Sequence, residues 1–204
     1  VEAGLPKGVI NLVMGSSSKI GKELLTNEKI RKITFTGSTE VGKLLMKDAA
    51  NQVKRVSMEL GGHAPFIVFA DADLEAAAEG AIASKFRNTG QTCVCANRLY
   101  VQSSVVDQFT SILKKKVEQI VIGNGLEEST ELGPLVDEKA LVKVQEHVDD
   151  ALAKGATLVT GGARCNVEKG NFYLPTVLTN VTEEMKITTE ETFGPVAPIY
   201  TFDT

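Results

Sequence analysis

Runs of β-branched and aliphatic residues alternate along this chain with segments whose apolar positions recur every three or four residues. Residues 9–13 read as a strand, 20–26 as a helix, 32–35 as a strand, 39–52 as a helix and 55–60 as a third strand. That β-α-β-α-β order predicts a parallel sheet with crossover helices, hence an α/β fold. At Gly61-Gly62 the pattern restarts. Residues 65–69 read as a strand, and an alanine-rich helix over 74–87 follows, with Asp71 and Asp73 as candidate N-caps. Further strands are expected at 98–102, 157–160, 176–178 and 196–202, helices at 105–120 and 138–154, and a loop over 161–171. The double glycine is the expected boundary between two domains, 1–61 and 62–204.

A length of 204 residues holds one large domain, or one domain and part of another. The net charge of −4 leaves no basic footprint for a nucleic acid. The one basic run, Lys114-Lys115-Lys116, is flanked by Phe109, Ile112, Leu113, Val117 and Ile120 at helical spacing and reads as the solvated side of a helix. No apolar stretch approaches the roughly 20 residues that span a bilayer, so no membrane partner is expected. Three cysteines make a poor disulfide framework, which points to a reducing compartment such as the cytoplasm. The chain starts at Val1 rather than methionine and stops at Thr204 just after a predicted strand. Further segments on both sides are therefore expected, and an upstream transit peptide would make the protein mitochondrial.

Gly37-Ser38-Thr39-Glu40-Val41-Gly42-Lys43 follows a strand and opens a helix, where backbone N–H groups and the helix dipole favour an anion. The spacing approaches the nucleotide-triphosphate loop but fails at Leu44, which has no hydroxyl for magnesium. An ordinary tight strand–helix turn explains the glycine pair equally well. Glu59, at a strand end before Leu60-Gly61-Gly62, is a candidate general base or a rim residue. Cys93 and Cys95 could be nucleophile, redox partner, metal ligand or buried filler. Zinc would need two more ligands from Cys165, His63 and His147, none of them in a closely spaced pair, so no metal is expected. A permanent disulfide across one residue is strained. Cys95 and Cys165 suit a buried role, whereas Cys93, in a loop beside polar residues, suits an accessible thiol. Arg87 reads either as a helix C-cap or as a fork for a carboxylate. His63 and His147 have no distinctive sequence context.

Taken together these segments resemble the NAD(P)-dependent aldehyde dehydrogenase superfamily. Ile33-Thr34-Phe35-Thr36-Gly37-Ser38-Thr39-Glu40-Val41-Gly42 is similar to its cofactor-helix motif and Met58-Glu59-Leu60-Gly61-Gly62 to its glutamate motif. Gly90-Gln91-Thr92-Cys93 is similar to its cysteine motif and Glu191-Thr192-Phe193-Gly194-Pro195 to its E-x-F-G-P motif. The segment Lys85-Phe86-Arg87-Asn88-Thr89-Gly90-Gln91-Thr92-Cys93-Val94-Cys95 most resembles that of succinate-semialdehyde dehydrogenases. The resemblance implies an aldehyde dehydrogenase-like fold: 1–61 as the end of a Rossmann-like cofactor domain and 62–204 as most of an α/β catalytic domain.

It also implies roles. Cys93 attacks the aldehyde as a thiolate, and Glu59 activates the water that hydrolyses the resulting thioester. Gly37 and Ser38 lie by the pyrophosphate of NADP or NAD, Leu60 beside the cofactor, Glu191 at the nicotinamide ribose and Phe193 nearby. The implied substrate is succinic semialdehyde, its distal carboxylate held by Arg87, with glutaric semialdehyde or another small aldehyde as alternatives. The implied parent is a homo-oligomer, dimer or tetramer. Cys95 is left over by the mechanism and is a candidate partner for Cys93 in a reversible disulfide. Superfamily members run to more than twice this length, so the chain resembles an internal piece. An asparagine for the oxyanion and a lysine for the adenosine ribose would lie upstream, and an oligomerisation strand downstream. The piece alone is expected to turn over little, or only to fold or bind.

Overall fold

Helix α1 (Ser17–Thr26), strand β1 (Lys32–Gly37), helix α2 (Thr39–Ala50) and strand β2 (Arg55–Leu60) form the first of two units in the computed structural model, which describes residues 3–165 and 169–204. The units are Val1–Gly61 and Gly62–Thr204. In the first, β1 and β2 pair in parallel from Lys32↔Arg55 to Gly37↔Leu60, with α2 as the crossover. Leu25, Ile33 and Ala49 are buried, with Ile30, Leu45 and Val56 packed around them. Lys54 buries its stem and donates to the Asn27 and Ile30 carbonyls at 2.7 and 2.6 Å, satisfying backbone beyond the end of α1.

The strand expected at residues 9–13 is absent. A strand needs a ladder, and among the described residues β1 pairs with β2 alone. The segment instead makes short-range turns, Val9 N–H to the Pro6 carbonyl and Asn11 Nδ2 to the Gly8 carbonyl. Ile10, Leu12 and Met14 are left 75%, 85% and 83% exposed.

The second unit is built on a five-stranded sheet in the order β3-β4-β7-β6-β5: β3 (Ala64–Val68), β4 (Ala96–Gln102), β7 (Val196–Phe202), β6 (Thr176–Thr179) and β5 (Thr157–Thr160). All neighbours are parallel except β5 and β6, an antiparallel pair that the repeating strand–helix pattern did not signal. Successive residues of the central strands face opposite sides. Leu99, Val101, Val177 and Ile199 pack with Phe109 and Leu113 in one core, while Leu178 and Tyr200 pack with Val144 and Val148 in another. The first core takes α3 (Leu74–Lys85) and α4 (Val106–Val117), the second α5 (Glu138–Ala153) and the single turn α6 (Lys186–Thr189), which the sequence did not announce. Asp73 caps α3 by accepting from Glu75 and Ala76 N–H; Asp71 does not cap it. Lys116 reaches across to Glu75 and Glu79 of α3, so the basic run serves as the polar side of α4. The loop expected over 161–171 lies partly outside the described residues; within them Arg164 and Tyr173 form an isolated antiparallel bridge.

Three adjacent parallel strands, β3, β4 and β7, bring the segments that precede them to one edge of the sheet. Gly62 stands two residues before β3, Cys93 three before β4 and Gly194 two before β7. The last two segments touch through backbone. A Cβ on Gly90 would fall 2.1 Å from the Gly194 carbonyl oxygen, and Gly90 has φ +72°. Gly90→Ala should cost more than about 2 kcal/mol, since strain and overlap act together. Gly125→Ala, where nothing lies within 4 Å, should stay within about 1 kcal/mol. Urea unfolding of both variants measures the difference, and equal midpoints would contradict it.

Two histidines of this unit make its stability depend on pH. Burial, then the Arg98 charge, lowers the pKa of His63; burial, then Lys143, lowers that of His147, with Glu190 opposing. Such groups take up protons more readily in the unfolded chain, where the pKa is about 6.5. Their contribution is therefore full above that pH and is lost as pH falls through the lowered folded values. The urea midpoint should drop between pH 7.5 and 5.5; a rise over that interval would contradict this.

Candidate active site

The thiol loop begins where α3 stops. Its last residue is Lys85 and its C-cap Phe86, so the helix is two residues shorter than expected and Arg87 lies beyond it. Asn88 and Thr89 follow in left-handed backbone, φ 51° and 57°, ahead of Gly90. For a β-branched residue such as Thr89 that conformation costs about 1–3 kcal/mol and persists only where neighbours enforce it. They do so here. The Thr89 hydroxyl donates to the Gly133 carbonyl at 2.9 Å, Asn88 Nδ2 to the Gln91 carbonyl at 3.1 Å, and Val136 N–H to Gln91 Oε1 at 2.9 Å.

The loop therefore leaves the 133–136 segment with its cysteines in opposite environments. Cys93 is exposed and Cys95 fully buried, its Sγ 2.8 Å from the Thr92 hydroxyl; both are free, as is buried Cys165. Among the described residues no three His, Cys, Asp or Glu side chains gather as metal ligands. Arg87 is exposed, and no carboxylate among the described residues forms an ion pair with it.

Gly62 meets this loop from the β3 side: a Cβ there would lie 3.0 Å from the Cys93 carbonyl oxygen. Its N–H donates to Glu191 Oε1 at 3.3 Å. The Glu191 carboxylate, the Gly62 backbone and the Cys93 backbone are thus in contact. Phe193, 42% exposed, stands two residues further on.

Four further side chains meet at this edge, Lys85, Asn97, His147 and Thr192, none of which was expected to act there. Lys85 is fully buried; its amine donates to Asn97 Oδ1 at 2.5 Å and to the Thr192 carbonyl at 3.3 Å. Burial pushes that amine down to about 8, opposed by Cys95 and Glu191. His147 Nδ1 lies 2.8 Å from the Thr192 hydroxyl and Nε2 lies 3.4 Å from Glu190. A signal did exist. Lys85 continues the buried stripe of Ala78 and Ala81, and His147 sits within Val144, Val148 and Ala151. A polar residue on an apolar helix face is the mark of a buried partner.

In the first unit, Ser38 caps α2 by accepting from Val41 N–H at 3.3 Å. Gly42 lets α2 approach β2, since a Cβ would meet Leu60 Cδ2 at 2.5 Å, so the Leu60 side chain serves helix packing. A Cβ on Gly37 would fall 2.4 Å from the Phe35 ring. Glu59 is exposed on β2. An apolar groove of about 1080 Å³ is lined by Ile20, Leu24, Phe35, Val41 and Leu44 within this unit. The groove, with the N-terminus of α2, suits a ligand carrying a flat apolar ring and an anionic group, as a dinucleotide does.

Comparison with known proteins agrees with this geometry. The chain is 55% identical over 202 residues to the succinate-semialdehyde dehydrogenase (NADP(+)) of Escherichia coli, covering 99% of this chain and 42% of that protein. It is 54% identical over 200 residues to a glutarate-semialdehyde dehydrogenase of Pseudomonas putida, covering 98% and 41%. A crystal structure of an E. coli NADP-dependent enzyme matches with a TM-score of 0.97 and 54% identity, over 100% of this chain and 42% of that one. The chain thus spans about two fifths of the length of these relatives. The model of the aldehyde dehydrogenase family matches residues 1–204. The chain belongs to the aldehyde dehydrogenase family.

Proposed function

We propose that this chain is the thiol-bearing core of an NAD(P)-dependent dehydrogenase that oxidises succinic semialdehyde to succinate, a step of 4-aminobutyrate breakdown. The observation that carries the reading is the exposed Cys93 on a loop fixed against Gly62 and the Glu191–Gly194 segment. Residues 1–61 are the end of the dinucleotide-binding domain and 62–204 most of the catalytic domain of a homo-oligomer, dimer or tetramer, in the cytoplasm. Among the described residues no helix is long and apolar enough to cross a membrane.

The Cys93 thiolate adds to the aldehyde carbon and forms a thiohemiacetal. Bound NADP or NAD supplies the acceptor for the hydride that leaves this carbon, and a thioester remains on Cys93. Glu59 then takes a proton from water, whose oxygen attacks the thioester and releases the acid and the thiolate. Ser38 and the N-terminus of α2 would hold the pyrophosphate, Leu60 would lie beside the cofactor, and the groove along α1 and α2 would take the adenine. Glu191 would bind the nicotinamide ribose, with Phe193 packing nearby.

Arg87 selects the substrate. Its exposed guanidinium, free of an internal ion pair among the described residues, clamps the distal carboxylate. The likeness to enzymes named for succinate and glutarate semialdehydes, both of which carry that carboxylate, supports the reading. A charge-assisted pair of about 1.5–3 kcal/mol corresponds to roughly ten- to a hundredfold in specificity. In the full-length protein, Arg87→Ala should lower kcat/KM for succinic semialdehyde by that factor and for butanal by less than about threefold; equal losses would sink the clamp. Glutaric semialdehyde, run in parallel, ranks the chain lengths.

Cys95 serves as a redox guard: peroxide oxidises the Cys93 thiolate to a sulfenic acid, and the Cys95 thiol, once Thr92 releases it, displaces that oxygen as water to form a reversible disulfide. Iodoacetamide should label Cys93 much faster than Cys95 or Cys165, with cofactor or aldehyde protecting it. After mild peroxide, both thiols of the pair should be blocked until dithiothreitol is added. A Cys95→Ala enzyme that recovers from peroxide as fully as wild type would rule the guard out.

A further inference from the structure

The segment from Glu190 to Pro195 contains no helix or strand, yet Thr192 within it is 2% exposed. Irregular backbone at such depth requires partners from elsewhere. Thr192 has them on two sides. The Lys85 ammonium donates to its carbonyl at 3.3 Å, and His147 Nδ1 holds its hydroxyl at 2.8 Å. Both partners are themselves fixed: Lys85 by Asn97 at 2.5 Å, and His147 by burial against α5 and by Glu190, 3.4 Å from Nε2. With Nε2 facing a carboxylate, the ring proton resides there and Nδ1 accepts from the Thr192 hydroxyl.

The two neighbours of Thr192 are the residues whose side chains emerge. Glu191 is half-buried and accepts from Gly62 N–H, and Phe193 is exposed. Burial alternates along the three residues, so fixing the central one fixes the directions of both others. Beyond them, Gly194 presses its backbone on Gly90 of the thiol loop and lies against Val144 of α5. Lys85 belongs to the helix that delivers the thiol loop, and His147 to a helix on the opposite face of the sheet.

We propose that Lys85 and His147 are positioning residues for the cofactor: they grip Thr192 from opposite sides and so aim Glu191 and Phe193 at the nicotinamide end. The inference rests on the dehydrogenase reading above. It differs from a general packing role in one respect. Loosening the grip should weaken the cofactor more than the aldehyde, because the loop that carries Cys93 and Arg87 touches this segment at Gly194 and has further anchors of its own through Thr89 and Gln91.

The test uses the full-length protein, with NADPH and NADH dissociation constants from fluorescence titration and KM values for cofactor and aldehyde from steady-state rates. Thr192→Val and His147→Gln should each raise the cofactor constants roughly tenfold, while aldehyde KM stays within twofold. His147→Asn, whose amide can occupy the place of Nδ1, should restore most of the loss. The double variant Thr192→Val/His147→Gln should be no worse than the poorer single, as residues on one bond are not additive. Lys85→Met should behave like Thr192→Val; if it does not fold, the other four variants decide. Cofactor constants unchanged within twofold, equal losses for cofactor and aldehyde, or additive losses in the double variant would each overturn the inference. Wild-type protein that binds neither nucleotide would overturn the dehydrogenase reading and this inference with it, whereas binding that the variants leave unchanged overturns the inference alone.

Discussion

Because β3, β4 and β7 are neighbours in one parallel ladder, the segments that enter them are held side by side by backbone pairing before any side chain takes part. Register places Ala64 opposite Ala96 and Leu99 opposite Ile199. Gly62, Cys93 and Gly194 are each only two or three residues upstream of that ladder. Short leads allow little freedom, and the burial of β4, β6 and β7 under helices on both faces makes a shift of register costly. The chemistry at this edge inherits its geometry from the sheet.

Where register ends, glycine and strained backbone take over. Gly90 and Gly194 allow two loops to approach at a distance no side chain permits, and Gly62 does the same for the Cys93 carbonyl. Thr89 adopts a conformation unfavourable to its type, offset by hydrogen bonds from its hydroxyl to the Gly133 carbonyl and from Val136 N–H to Gln91 Oε1. The strain sits three to five residues before the exposed thiol, so the core stabilises a loop that would not hold its shape alone.

Most elements were legible in the sequence, because period-2 and period-3.6 patterns record which faces are buried. Strands β2 and β7 and the start of α5 match their expected limits. Residues 9–13 had the composition of a strand and lacked a partner, and composition cannot say what lies alongside. The short helix α6 escaped because four residues are too few to show a period, whereas β5 stands at 157–160 as expected and only its antiparallel pairing escaped, since a burial pattern carries no strand direction. At this edge Cys93 was picked out by its residue type and loop, Gly62 as half of a glycine pair, and Glu191 through the family resemblance alone. The contacts that join Lys85, Asn97, His147 and Thr192 were not legible, since they link positions 12, 45 and 107 residues apart in the chain, although a polar residue on an apolar helix face marked Lys85 and His147 as buried partners.

Lys85 and Arg87 are two cations separated by one residue with opposite fates. One is sealed inside and satisfied by Asn97 and Thr192; the other points to solvent with no internal ion pair among the described residues. Exchanging an exposed side chain of this kind shifts stability by about 0.5 kcal/mol or less, whereas emptying the buried site strands two acceptors. Position 87 can therefore change by single mutations while the buried anchor two residues before it stays locked. What this loop shows to solvent can vary independently of what holds it in place.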